Sequence, residues 1–378
     1  MFLKPGWHFR YIVSKLSENF AMDKSKPLNS RGIALLLTIT IATLLVTVSL
    51  EVNRRVRSRV VSTAAARDRI TLTQMTAAGI HAAMAMLVTD KLNSEVDSIQ
   101  EDWANPEKIQ EALQDIPFEE GQLTFQITDE LGKIQINALI NTGDQQFSEP
   151  QRGLWERFLS WIVSRHDTLD DTDVVEIINS LKDWLDSGDD DAITGLSGAE
   201  SDYYEGLEPA YTPRNGPIPY AAELQRVKGM TPVLFRGTEE IPGLNGAVTV
   251  YGRSGAGSIS ESAYSGKVNI NTAPLPVIIA LLPSENEDLA QGIVDYRQEI
   301  SGDQYVRNLT NSGWYKEVPG MGDLSLPAEM ITTASDLFRV TATARLHSLK
   351  FTAIAVLERR QGGKTGKWAC RVLSWETN

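Results

Sequence analysis

The residues with the greatest capacity for chemistry lie in one acidic stretch. It reads Asp183-Trp184-Leu185-Asp186-Ser187-Gly188-Asp189-Asp190-Asp191, and is followed by Gly198-Ala199-Glu200-Ser201-Asp202-Tyr203-Tyr204. Carboxylates gathered in one loop repel one another unless a cation neutralises them, and hard divalent ions, calcium above all, take six to eight oxygen ligands from such loops. Asp183, Asp186, Asp189, Asp190, Asp191, Glu200 and Asp202 are the candidate ligands. The spacing is not that of an EF-hand, because Gly188 precedes the aspartate run instead of interrupting it. A solvated acidic loop is the competing reading of the same residues.

A second polar motif is Val268-Asn269-Ile270-Asn271-Thr272-Ala273-Pro274, ahead of two short helical patterns at Leu275–Leu282 and Asp288–Glu299. Asn271 or Thr272 is placed to cap the first of these, with Pro274 in its first turn. V-N-I-N-T-A also opens helix-hairpin-helix units, and Glu223 to Thr231 has a similar cast. Phosphate binding by such a unit needs basic residues around a glycine turn. Glu285, Glu287 and Asp288 oppose that, so these hairpins read as packing units.

No enzyme constellation stands beside these motifs. G-x-S-x-G, H-E-x-x-H and the P-loop pattern are absent, and no catalysis is expected. Gly252 to Gly257 is glycine-rich without a following helix signal and reads as a flexible loop. The four histidines are isolated in sequence. The single cysteine, Cys370, excludes an intrachain disulfide and a multi-cysteine metal site. Charge is uneven. Before Ile33, Lys4, Arg10, Lys15, Lys24, Lys26 and Arg31 stand against Glu18 and Asp23, a balance of +4, so the total of −13 leaves −17 on the remainder. An acidic body repels phosphate backbones, so no nucleic-acid partner is expected.

These motifs must be positioned by a chain of 378 residues that begins with a long apolar element. Ile33 to Leu50 holds no charge, glycine or proline, and its length meets the lower limit for a spanning helix. No proline occurs between Pro27 and Pro106, and no glycine between Gly32 and Gly79. One helix from Ile33 to Lys91 is therefore expected, apolar all round in its first half and amphipathic in its second. Alternation predicts a strand at Gly121–Asp129, paired through a turn with Lys133–Asn137, and three closing strands at Asp336–Leu346, Lys350–Arg359 and Trp368–Trp375. Between them, helical period appears over Leu154–Ile162, Val174–Leu185 and Tyr220–Lys228. The fold class expected is α+β: a long N-terminal helix on an antiparallel sheet, with a large helical domain inserted between strands.

The junction Ser30-Arg31-Gly32, set directly against the apolar run, resembles the leader of type IV prepilins. That resemblance implies cleavage between Gly32 and Ile33 by a prepilin peptidase, with methylation in the same processing. Prepilins usually carry glutamate at the fifth mature position, where this chain has Leu37. The missing glutamate, D-W-L-D followed by G-A-E-x-x-Y-Y, and V-N-I-N-T-A-P occur together, in this order, in the K-type minor pseudopilins of the type II secretion system, which the chain resembles over nearly its whole length. The resemblance implies a cytoplasmic leader (1–32), a membrane and assembly helix (33–50), the remaining helix and first strands of a pilin head (51–137), an inserted helical domain (138–327) and the closing strands (328–378). It also implies calcium in the helical domain. The function implied is nucleation or capping of a periplasmic pseudopilus tip. The partners implied are the I, J and H minor pseudopilins, the major pseudopilin, the prepilin peptidase and the inner membrane. The anchor is single-pass, with the C-terminal head in the periplasm. Two other readings of the residues remain at this stage. A membrane-tethered helix-hairpin-helix DNA receptor predicts salt-sensitive duplex binding; a calcium-dependent surface adhesin predicts no processing at Gly32.

Overall fold

A computed structural model describes residues 30–114, 116–188, 193–254, 263–362 and 366–377. Contacts divide the chain into two units, residues 1–67 and 68–378. The described part of the first is the opening of α1 (Ser30–Asn93), a continuous helix of 64 residues. Strong helix formers and the lack of any breaker over its apolar half explain its length. It begins slightly before the predicted start and ends slightly past the predicted end. Apart from Glu51, the residues from Ile33 to Val61 are exposed there, including Leu35, Leu36, Leu44, Leu45 and Leu50. Among the described helices this is the one long and apolar enough to cross a membrane.

The second unit begins at Asp68. Here α1 turns amphipathic and buries Leu72, Met75, Ile80, Ala83 and Leu87 against a four-stranded antiparallel sheet. The strands are β1 (Gln122–Asp129) and three that close the chain. Those three match the predicted positions: Leu337–Leu346 and Leu349–Gln361 form a hairpin turning at His347-Ser348, and Trp368–Thr377 lies at the edge. The alternation of buried and exposed residues along β1 is the pattern expected of a strand with one face on a core. The core between helix and sheet is completed by α2 (Pro106–Gln114), Trp103 and Phe338; the two rings meet edge to face at 5.2 Å.

Two expectations for the sheet fail. β1 does not pair with the segment that follows it. It runs antiparallel to Leu337–Leu346, from Gln122 opposite Arg345 to Asp129 opposite Phe338. The following segment, β2 (Ile134–Gln135), instead forms a parallel ladder with β3 (Val248–Thr249). Alternation specifies a face, not a partner, and here the partner comes from the far side of the inserted domain.

A second hydrophobic core belongs to the inserted helices. It gathers α3 (Glu149–Val163), α4 (Val174–Leu185), α5 (Ser201–Glu205), α6 (Leu275–Leu281) and α7 (Ala290–Gln298). The stretch at Tyr220–Lys228, predicted helical, is a short 3-10 turn over Ala221–Arg226. Asn271 and Thr272 do not cap α6; its cap position is Pro274. Asn271 is fully buried, donates to the Leu309 carbonyl at 3.1 Å and accepts from Trp314 Nε1 at 2.8 Å. The glycine-rich run is described only at its start, and residues 255–262 lie outside the described residues.

Between the two cores runs a buried polar seam. Asn269 donates to Asp129 Oδ2 at 2.7 Å and to the Asp97 carbonyl at 2.9 Å, and Thr272 Oγ1 donates to Asp129 at 2.7 Å. Glu130 accepts from Lys133 and Arg339, each at 2.6 Å, and from Thr249 at 2.6 Å. The V-N-I-N-T stretch thus spends its polar groups inside the molecule.

Candidate functional site

Helix α4 carries the first half of the acidic constellation. Asp173 caps it by accepting from the amides of Val175 and Glu176. Its apolar period turns Ile177, Ile178, Leu181 and Leu185 into the core. Asp183 and Asp186, three apart at its C-terminal end, fall on one side. The chain then returns through Thr194 and Gly198 to Glu200, which precedes α5. Carboxylate oxygens of Asp183, Asp186 and Glu200 come within 4.8 Å of one another, and all three residues are buried.

Each residue of this pocket has a definable task. Asp183 accepts from the amide of Ala199 at 2.8 Å and from the amide of Thr194 at 3.1 and 3.2 Å, so the returning loop is wrapped around it. Gly198 allows that wrap: a Cβ there would lie 2.8 Å from the Thr194 nitrogen and closer still to Asp183 Oδ2. Trp184 is buried, donates from Nε1 to Glu223 at 3.0 Å, and meets Tyr204 edge to face at 5.0 Å. The aromatic members of both motif halves therefore lock α4 to α5. Burial raises the Asp186 carboxyl above its ordinary range while Lys182, 2.9 Å away, pulls it back.

The donor set suits a hard cation. Oδ1 of Asp186 is buried with no hydrogen-bond partner among the described residues, an unfilled acceptor facing two further carboxylates. Lys182 supplies one internal positive charge against three carboxylates. Of the other predicted ligands, Asp202 lies exposed on α5 and is not gathered with the three. Asp189, Asp190 and Asp191 lie outside the described residues.

A second acidic group went unnoticed in the sequence: Asp90 at the end of α1, with Asp97 and Glu101 in the loop beyond it. Its counter-charge is internal. Arg359, on the strand Leu349–Gln361, is fully buried and ion-paired to Asp90 at 2.9 Å and to Asp97 at 2.5 Å. The same guanidinium donates to the carbonyls of Leu87 and Ser335. Burial and the neighbouring carboxylates push Asp90 up to about 7, with Arg359 opposing. No sequence signal distinguished this arginine from Arg360 beside it.

The predicted processing junction lies on α1. Helix continues through Gly32, where a Cβ would meet nothing within 4 Å, so packing does not require glycine there. Ile33 and Leu37 are both exposed on the apolar stretch.

A long exposed apolar helix, an antiparallel sheet packed on its distal half and an inserted helical domain define a pilin-like α+β fold. Residues 132–240 match the family model for protein K of the type II secretion system. The type II secretion system protein K of Klebsiella pneumoniae is 25% identical over 210 residues, 54% of this chain and 60% of that protein. That of Aeromonas hydrophila is 27% identical over 157 residues, 40% and 44% of the two. This chain thus aligns with less than two thirds of either relative. Among solved structures, a chain of the GspK-GspI-GspJ complex of enterotoxigenic Escherichia coli superposes with a TM-score of 0.59 at 16% identity, over 84% of this chain and 99% of that one. Over residues 132–240 the chain is thus similar to protein K of the type II secretion system, and its fold is that of the complex chain.

Proposed function

We propose that the chain is a minor pseudopilin that nucleates or caps the tip of a periplasmic secretion fibre. The observation that carries this is the protein K match over residues 132–240, set within a fold shared with a GspK-GspI-GspJ complex chain. By that likeness its partners are the other minor pseudopilins, and beyond them the major pseudopilin.

In this reading a prepilin peptidase cuts after Gly32 and the new terminus at Ile33 is methylated. The glycine answers to the peptidase, in keeping with the absence of any packing demand at that position. Ile33–Leu50 then anchors the chain in the inner membrane with its head in the periplasm, and bundles with partner helices on assembly. A carboxylate in the bilayer is costly unless paired, and pilins pair theirs with the amine of the preceding subunit. Leu37 has no such pairing to make, which suits a subunit with none ahead of it.

Calcium is the ion this reading assigns to Asp183, Asp186 and Glu200, completed by oxygens of the acidic loop. It would supply positive charge that lets three buried carboxylates coexist and fixes the loop between α4 and α5.

The test is the N-terminal sequence of the membrane-recovered chain, with and without the peptidase, alongside co-purification with candidate minor pseudopilins. A peptidase-dependent start at Ile33 and a stable complex are expected. A chain that keeps its leader and assembles with none of them would overturn the proposal.

A further inference from the structure

Past the apolar stretch, α1 carries Arg54, Arg55, Arg57 and Arg59 in quick succession, every one exposed. At about 100° per residue these four project at roughly 0°, 100°, 300° and 140° around the axis. They form a collar, not a stripe. A protein neighbour docking on one side of the helix would leave part of such a collar unused. A shell of headgroups surrounds the helix and meets all of it.

The distances agree. Ile33 to Leu50 spans about 27 Å of helix, close to the roughly 30 Å hydrocarbon core. Arg54 and Arg59 then stand about 6 and 13 Å beyond Leu50, and long arginine stems reach back toward the interface. This is the depth of lipid phosphates.

The collar has a single acidic partner, Glu51. Arg54 with Arg57 and Arg55 with Arg59 are like-charged pairs at helix spacing, which destabilises a bare helix. Glu51 pairs with Arg55 at 2.8 Å, and the sequence has no further acidic residue until Asp68. Of the 36 basic and 49 acidic residues in the chain, 11 and 3 fall before Asp68, so the rest carries −21. The basic neck is an exception in an acidic protein.

Resting on the reading of Ile33–Leu50 as a membrane span, we infer that Arg54, Arg55, Arg57 and Arg59 form a binding site for the phosphates of anionic phospholipids in the leaflet on the head side. Guanidinium binds phosphate oxygens in a bidentate way that lysine does not match. Four such groups hold the subunit at a fixed depth until partner helices draw it into a fibre.

The experiment uses the full chain in nanodiscs of phosphatidylethanolamine with a minority of phosphatidylglycerol. Lipids retained after mild extraction are counted by native mass spectrometry. Phosphatidylglycerol is expected to be enriched at least about fivefold over its share of the bilayer. In the variant R54Q/R55Q/R57Q/R59Q that enrichment should vanish, with total bound lipid and the thermal midpoint of the head unchanged. Replacing all four by lysine should leave an intermediate enrichment. Equal enrichment in the wild type and the glutamine variant would overturn the inference. So would a glutamine variant that keeps its lipids and loses partner subunits, since the collar would then serve protein carboxylates. Carbonate extraction separates the two layers: a chain released from membranes sinks the span itself, and an embedded chain without anionic preference sinks the collar alone.

Discussion

Gly198 stands so close to Asp183 that the smallest side chain would collide with Oδ2. The contact explains why an acidic pair on one helix and a Gly-Ala-Glu turn further along the chain form one unit. Asp183 anchors the turn through backbone amides, and the turn carries Glu200 back to Asp186. Gly198→Ala should therefore disrupt the pocket from a position that carries no charge. We expect a loss of about 2–4 kcal/mol in urea denaturation without added metal. Calcium should restore less stability to this variant than to the wild type. A variant with wild-type stability and calcium response would show that the turn tolerates displacement.

Lys182 and a bound cation act on the same carboxylate. Lys182 Nζ lies 2.9 Å from Asp186 Oδ2 and 3.0 Å from Thr194 Oγ1. In Lys182→Met the carboxylate loses its internal partner. Without metal, the thermal midpoint should fall by several degrees, equivalent to about 1–3 kcal/mol for a buried acceptor left unmade. The stabilisation gained on adding calcium should rise above the wild-type gain, because the ion then supplies all of the counter-charge. If calcium shifts the midpoint of neither protein, the pocket is held by Lys182 alone.

Arg359 carries the other buried charge cluster. It ties the end of α1, the Asp97 loop and the Ser335 turn to the sheet. Arg359→Met leaves Asp90 and Asp97 facing each other without a cation, and roughly 3–5 kcal/mol of stability should go with it. Adding Asp90→Asn and Asp97→Asn to that variant should recover part of the loss. Such recovery marks a coupled site, whereas independent sites would lose stability further with each change.

The parts legible in the sequence were those specified locally. The long helix follows from an unbroken run of helix formers. Val174–Leu185 was fixed by its apolar period and the Asp173 cap, and the hairpin at His347-Ser348 by two alternating runs. Asp183, Asp186 and Glu200 were legible as members of a stretch crowded with like charges, though nothing in it told them apart from Asp202, which is exposed. Long-range choices were not. Nothing in Gln122–Asp129 names Leu337–Leu346 as its partner. Asn271 has the composition of a helix cap, yet its side chain serves Leu309 and Trp314 from within the core. Arg359 sits in a Glu-Arg-Arg run that reads as a solvated strand end. Its burial depends on Asp90 and Asp97 arriving from the other end of the head's sequence.

Asp90 gives the cluster a pH dependence whose sign follows from its surroundings. Facing it are Asp97 and Glu101, which raise its pKa, and Arg359, which lowers it; burial is the largest effect and raises it from 3.8 to about 7. Between those values the folded protein holds a proton on Asp90 that the unfolded chain has released. Stability contributed by this group is thus full below about pH 4 and is lost as pH rises through 7. Asp129, fully buried on the seam and raised to about 6 by the same burial, adds to the slope in the same direction. Asp90→Asn removes the titration while keeping an oxygen for the arginine. Its urea midpoint should fall less between pH 5 and pH 8 than that of the wild type, and the two curves should converge toward pH 5. Parallel curves across that range would mean that Arg359 keeps Asp90 ionised throughout, and the pH response of the head would then rest on the other carboxyls raised by burial, Asp97, Glu101, Asp129 and Asp186.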